Sequence, residues 1–283
     1  MEIVKKFIPR NHELVLFGDD QVGNLLSHRS GVSECVEYIL ADRNRFAIHM
    51  GDEMDAFWVD DPRFNTDTTV MTPLQQQAEV INTYRPIAES GQLLTILFGN
   101  HTYKLLPKIG DITSDTCKKL DIQYCGYCAV FEMYDAASTE LMYKVFVTHG
   151  RRSVGSCADD PIRQLSNMRL QLKRHLAPQA GDCILMAKGH THKLIVSEPE
   201  PILYMTHING KIKQKYTDTD CVAAHSYIDP DLRWYVNTGS FLKSRDVGVM
   251  SYPEMFEYAP VQLGYAVAEV HDGKISTVRT ERV

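Results

Sequence analysis

The sequence predicts an α/β domain whose central mixed β-sheets are flanked by helices. Three observations predict it. Short apolar runs of about four to eight residues recur along the chain, and most stop at a glycine followed by a polar residue. Helix-length segments separate them. The 283 residues are 44% hydrophobic and 23% charged, enough apolar material for a packed core.

The elements follow in order. Glu13 to Phe17 (ELVLF) runs into Gly18-Asp19, and Arg45 to Met50 (RFAIHM) into Gly51-Asp52. Leu93 to Phe98 reaches Gly99-Asn100, Tyr143 to Thr148 reaches His149-Gly150, and Cys183 to Ala187 leads to Gly189-His190. Asn24 to Arg43 and Pro73 to Ser90 have helical spacing and length between the first three strands. Pro161 to Leu176 opens with proline after Asp159-Asp160, a helix N-terminal signal. After His192 the chain turns to strand-like pieces, and Asn209-Gly210 within ILYMTHINGKIKQ predicts a hairpin turn. With no repeat, low-complexity tract or Gly/Ser linker, residues 1–283 read as a single domain.

Several function classes fall away. No apolar run approaches the ~20 residues of a spanning helix, and MEIVKKFIPRNHE lacks a secretory apolar region. A soluble, cytoplasmic chain without a membrane partner is expected. Thirty basic against 36 acidic residues give a net charge of −6, which argues against a whole-surface nucleic-acid binder but leaves room for a local basic groove. Seven cysteines (Cys35, Cys117, Cys125, Cys128, Cys157, Cys183 and Cys221) show no disulfide framework, and a reducing compartment follows.

Five successive strand ends place metal-type side chains on loops: Asp19 and Gln21, then Asp52 and Asp55, then Asn100 with His101, then His149, then His190 and His192. Loops beyond the carboxyl ends of strands gather in one crevice of an α/β sheet. Carboxylate, imidazole and amide oxygen together suit divalent first-row ions. Asp52, set after a glycine, could bridge two of them.

The ordered set GDDQVG, GDEMD, GNH, a lone His149 after its strand, and GHTH resembles the calcineurin-like metallophosphoesterase superfamily. The likeness runs from Gly18 to His192, and Asn237 to Ser240 (NTGS) is similar to another strand end of that family. Asp61 to Phe64 and the long segment after His149 resemble a branch common in phage and prophage sequences. The resemblance implies a layered fold with a dinuclear metal site at the strand C-terminal ends. Asp19, Gln21, Asp52 and His192 would hold one ion; Asp52, Asn100, His149 and His190 would hold the other. The ions would be Mn, Fe, Zn or Ni, with Mn favoured. A hydroxide bridging them would attack phosphorus, with Asp52, Asn100 and His101 the catalytic residues and His101 protonating the leaving oxygen.

Two positions depart from the family pattern. Gln21 stands where most members carry His, and as a neutral, weaker donor it implies looser binding of the first ion. Thr102 follows His101 where many members carry a carboxylate that would orient the imidazole.

Other features have plainer readings. Asp55 caps or braces its loop rather than ligating. His49 sits on a strand as a packed residue, while His12, His28, His175, His207, His225 and His271 have no motif context. Cys125 and Cys128 have CxxC spacing without a second pair, as structural thiols would. Arg151 and Arg152 follow His149 and either reach a substrate phosphate or line a solvated loop. Arg163, Arg169, Lys173 and Arg174 give one helix a basic side that is solvated unless nucleic acid binds it. The expected activity is a two-metal phosphoester hydrolase, with a phosphodiester or nucleotide substrate favoured. A nuclease acting on DNA or RNA ends and a scaffold that lost turnover are the alternatives. Segments 151–181 and 193–233 are the expected specificity insertions.

Overall fold

The computed structural model describes residues 1–61, 63–217 and 226–283; Pro62, Cys221 and His225 lie outside the described residues. The chain begins with β1 (Glu2–Ile8), β2 (His12–Phe17), α1 (Arg29–Leu40), β3 (Arg45–His49), α2 (Pro73–Glu89) and β4 (Leu93–Ile96). Short helices α3 (Asn100–Tyr103) and α4 (Leu106–Ile109) precede α5 (Ile112–Lys119), β5 (Cys128–Asp135) and β6 (Leu141–Thr148). Then come α6 (Pro161–Leu176), β7 (Leu185–Lys188), β8 (Leu194–Ser197), β9 (Leu203–Ile208) and β10 (Lys211–Tyr216). The rest is β11 (Trp234–Thr238), α7 (Tyr252–Met255), β12 (Gly264–His271) and β13 (Lys274–Arg282).

Among the described residues, eleven strands form two mixed sheets, and β9 and β10 pair as a separate antiparallel ribbon. One has the order β1-β5-β6-β7-β11-β8, the other β13-β12-β2-β3-β4. The strand pleat explains how they pack. Along β2, Leu14 and Leu16 join Ile48, Phe131, Val145, Leu185 and Val236 in a core between the sheets. The alternate residues Val15 and Phe17 face the other way, against Val32, Cys35 and Ile39 of α1 and Val80, Ile81 and Tyr84 of α2. On the far side, Leu172 and Leu176 of α6 pack with Val130, Phe146, Met186 and Tyr235. The layers are therefore helix, sheet, sheet, helix, and the buried strands read as near-continuous apolar runs because both faces are covered.

Local chemistry sets the element ends. Asp160 caps α6 by accepting from the Ile162 N–H, and α6 spans the predicted residues. Thr72 and Gln75 close a capping box on α2. The helix expected from Asn24 starts instead at Arg29. The Asn24 side chain accepts from the Leu26 N–H at 2.9 Å, and His28 caps the helix through the Gly31 N–H at 3.0 Å. Such local side-chain bonds compete with helix. The predicted Asn209-Gly210 turn joins β9 to β10, with φ of 52° and 71°.

Topology places the ligand loops. Strands β2, β3 and β4 are parallel neighbours, and so are β6, β7 and β11. The carboxyl ends of both trios share one edge of the sandwich.

Candidate metal centre

Each loop at this edge begins where a strand stops, and the backbone there is bent hard. Asp19, Gln21, Asp52, His190 and His192 have φ of 56°, 48°, 54°, 74° and 55°. A non-glycine residue held in the left-handed region costs of order 1–3 kcal/mol, and such positions cluster at functional sites. The surroundings impose the bend. The Asp19 carbonyl accepts from Ser240 Oγ at 2.9 Å and from the Phe241 N–H at 3.2 Å, while the Gln21 N–H donates to the Asp52 carbonyl at 3.0 Å.

Two side-chain groups result. In the first, ligand atoms of Asp52, His149 and His190 lie within 4.8 Å of one another. His149 Nε2 is 3.2 Å from Asp52 Oδ2 and 2.9 Å from Asn100 Oδ1. In the second, His192 Nε2 is 3.3 Å from Asp19 Oδ1 and 3.2 Å from the Gln21 amide nitrogen. The amide is two-fold about its last torsion, so a half-turn brings the Gln21 oxygen to the same point. The backbone N–H of His190 joins the groups by donating to Asp19 Oδ2 at 2.9 Å. The seven residues expected as ligands therefore fall into two clusters that share one crevice.

The electrostatics suit cations. His149 Nδ1–H donates to the Met50 carbonyl at 2.8 Å, which leaves Nε2 facing the crevice. Burial opposes ionisation of both Asp52 and His149, but their proximity prevails: Asp52 is held well below the ordinary carboxylate range and raises His149 to about 9, so His149 carries a proton that a bound cation would displace and take the place of beside Asp52. Burial, and His149 beside it, bring His190 down to about 4, so its ring is neutral, as a ligand must be. Asp19 Oδ1 and Asn237 Oδ1 are buried with no hydrogen-bond partner. Orphaned oxygens cost free energy unless something fills their coordination. The donor set thus fits divalent first-row ions.

Glycines keep the crevice open. A Cβ on Gly99 would stand 2.0 Å from Asp52 Oδ1, and one on Gly189 would stand 2.9 Å from Asp19 Oδ2.

His101 occupies one wall and is 6% exposed. Its Nδ1–H donates to the Asp55 carbonyl at 2.7 Å, and Nε2 lies 3.8 Å from Asp52 Oδ2. Phe57 stacks on its ring at 4.8 Å. The imidazole is therefore oriented by a backbone carbonyl, in place of a carboxylate at position 102. Thr102 instead faces Thr113, whose hydroxyl donates to Glu53 Oε1 at 2.7 Å. Asp55 braces its loop: Oδ1 accepts from Asn24 at 3.1 Å and Oδ2 from Thr69 at 3.3 Å.

Several buried polar residues behind the crevice were not singled out in the sequence. Asp20 Oδ2 accepts from His49 Nε2 at 2.7 Å and from the Tyr84 hydroxyl. Glu53, wholly buried, is pushed up to about 7 by burial. Asn237 donates to Thr191 Oγ1, fixing the residue between the two histidines of GHTH. Lys188 is 2% exposed, and burial lowers its ammonium to about 8. The doubled acid in GDD was the available signal for Asp20, and NTGS marked Asn237 without giving its role; Glu53 and Lys188 carry no local mark. Cys125 and Cys128 are free thiols, the first buried and the second partly so.

No family model matches the chain, and no curated protein does either. Among solved structures it is similar to the E. coli phosphoesterase YfcE, with a TM-score of 0.42 and 11% identity over 94% of this chain and 98% of that one. A dimetal phosphatase from Danio rerio matches at a TM-score of 0.38 and 11% identity, covering 92% of this chain and 93% of that one. The nuclease MPE of Pseudomonas putida matches at 0.33 and 11%, covering 95% and 87%. The phage-type likeness has no counterpart among them. No helix among the described residues is long and apolar enough to cross a membrane.

Proposed function

We propose that the chain is a calcineurin-like metallophosphoesterase that hydrolyses phosphate esters, with a phosphodiester or nucleotide as substrate. The observation that carries this reading is the convergence of Asp52, His149 and His190, from three strand ends and two sheets, within 4.8 Å. Asp19, Gln21, Asp52 and His192 would hold one divalent ion, and Asp52, Asn100, His149 and His190 the other, with Mn favoured. Such a pair lowers the pKa of bound water and offsets charge on both oxygens of an in-line displacement. The chain's own residues do the rest. Asp52 and Asn100 fix the reacting centre, since phosphoryl catalysis is chiefly positioning and charge stabilisation. His101 presents Nε2 to the crevice while the Asp55 carbonyl holds Nδ1–H, so an imidazolium there can give its Nε2 proton to a departing alkoxide. Phe57, stacked on the ring, helps to hold its plane in place. His101 held this closely favours an enzyme over a scaffold.

The test compares p-nitrophenyl methyl phosphate with p-nitrophenyl phosphate and a dialkyl diester, before and after chelation and Mn²⁺ repletion. Metal-dependent hydrolysis, diester over monoester, is expected. His101→Ala should keep its metal and lose roughly 10²–10⁴-fold on the dialkyl ester, and much less on the activated aryl ester. Inactivity of the wild type with every ester under Mn²⁺, Fe²⁺, Zn²⁺ and Ni²⁺ would overturn the reading.

A further inference from the structure

The crevice rim beside His101 carries an arrangement that the hydrolytic step does not use. Tyr103 lies two residues after His101, and Arg151 two residues after His149. Tyr127 is tied to the same place, because its carbonyl accepts the His149 N–H at 3.4 Å. Tyr103 and Tyr127 are 42% and 55% exposed. They stand 6.4 Å apart, and the buried Phe98 meets both edge-on, at 6.3 and 5.1 Å. Phe98 thus fixes two open rings in place.

The Arg151 guanidinium lies over the Tyr103 ring at 4.8 Å. Among the described residues no carboxylate pairs with it, whereas Lys104 and Lys108 on the same rim are engaged by Asp61 and Asp60. A flat cation held by an aromatic face and left without a counter-charge is suited to a phosphate oxygen. A fixed, open aromatic ring beside it is suited to the face of a base.

We propose that Tyr103, Tyr127 and Arg151 form a shelf that selects phosphodiesters carrying a nucleobase. The base stacks on Tyr127, and Arg151, steadied by Tyr103, takes a phosphate oxygen. This rests on the hydrolase reading for its consequence, since it names the substrate class of that same site: a nucleotide ester or a single nucleic-acid strand. A paired duplex hides its base faces and does not fit.

Two esters with the same p-nitrophenolate leaving group isolate the shelf, one carrying methyl and the other thymidine on its second arm. The wild type should favour the thymidine ester in kcat/KM. Tyr127→Ala should shrink that preference roughly 5- to 150-fold, chiefly through KM, and Tyr127→Phe should keep it. An unchanged preference in Tyr127→Ala would overturn the proposal. Absence of turnover with both esters would overturn the hydrolase reading instead, so binding is measured separately. Anisotropy of a labelled oligothymidylate, with the protein in chelator, should show weaker binding in Tyr127→Ala and a shallower salt dependence in Arg151→Ala. Displacement of the label by thymidine methyl phosphate, compared with displacement by unlabelled oligothymidylate, tells which source of the nucleobase diester is preferred. Equal binding by wild type and both alanine variants, or preference for duplex, would overturn the shelf.

Discussion

Asp52 Oδ1 accepts the backbone N–H of His101 at 2.9 Å, while its Oδ2 lies 3.2 Å from His149 Nε2. One oxygen is thus spent on orienting the residue proposed to serve the leaving group, and the other faces the histidine that would ligate. Asp52→Asn keeps an oxygen for the His101 N–H but removes the charge. Loss of both ions together and a fall of more than about 100-fold in kcat/KM are expected. Metal analysis after gel filtration checks it; loss of a single ion would mean that Asp52 does not bridge.

Gln21→His should tighten the first ion without loss of fold. Imidazole is the better ligand for late first-row ions, and histidine tolerates the left-handed φ of 48° that this position requires. Calorimetric titration with Ni²⁺ or Zn²⁺ should show a stronger first site. Unchanged or weaker binding would count against Gln21 as a ligand.

Gly99→Ala should expel the metals and lower stability by about 1–3 kcal/mol, because the added methyl would stand 2.0 Å from Asp52 Oδ1 and 2.4 Å from its amide nitrogen. The paired control is Gly155→Ala, where a Cβ meets nothing nearer than Lys193 Nζ at 3.8 Å. Urea melts and metal content should separate the two variants, and equal behaviour would refute the steric argument.

His12 makes part of the stability acid-sensitive at a distance from the crevice. Its Nδ1–H donates to the Pro9 carbonyl at 2.7 Å, and Nε2 lies 2.6 Å from the Tyr143 hydroxyl. Burial lowers it to about 4 from an ordinary 6.5. The folded state therefore resists a proton that the unfolded chain accepts. Its contribution is intact above pH 6.5 and is lost as pH falls from 6.5 to about 4, at up to about 1.4 kcal/mol per pH unit. Urea unfolding across that window should show the slope in wild type and a reduced slope in His12→Gln. An unchanged slope would assign it to other groups.

The crevice was more legible in the sequence than the sandwich around it. Gly-Asp, Gly-Asn and a lone histidine after apolar runs are local marks, and the seven residues they flagged lie in one place. The doubling of the sheet was not legible, because nothing near Leu14 or Val145 says which strands share a hydrogen-bonded neighbour. β1 also passed unread: Val4 and Ile8 are its buried residues, and lysines interrupt the run between them. Asp19 and Asp20 are adjacent and chemically identical, and only the local backbone sends one into the crevice and the other to His49 and Tyr84. Thr102 pointed to a missing carboxylate, but the Asp55 carbonyl that orients His101 could not be seen, since every residue has one.

The strand order also bears on how the protein is made. β1 pairs with β5, more than a hundred residues later, and β2 pairs with β12, at the other end of the sequence. A growing chain that has reached Thr238 already contains all seven proposed ligands. It still lacks Ser240 and Phe241, which grip the Asp19 carbonyl, and β12, which flanks β2. Pairings this distant close late in folding. Completion of the proposed ion site therefore waits for residues 240–271, and until then the ligand loops are tethered to only part of their frame.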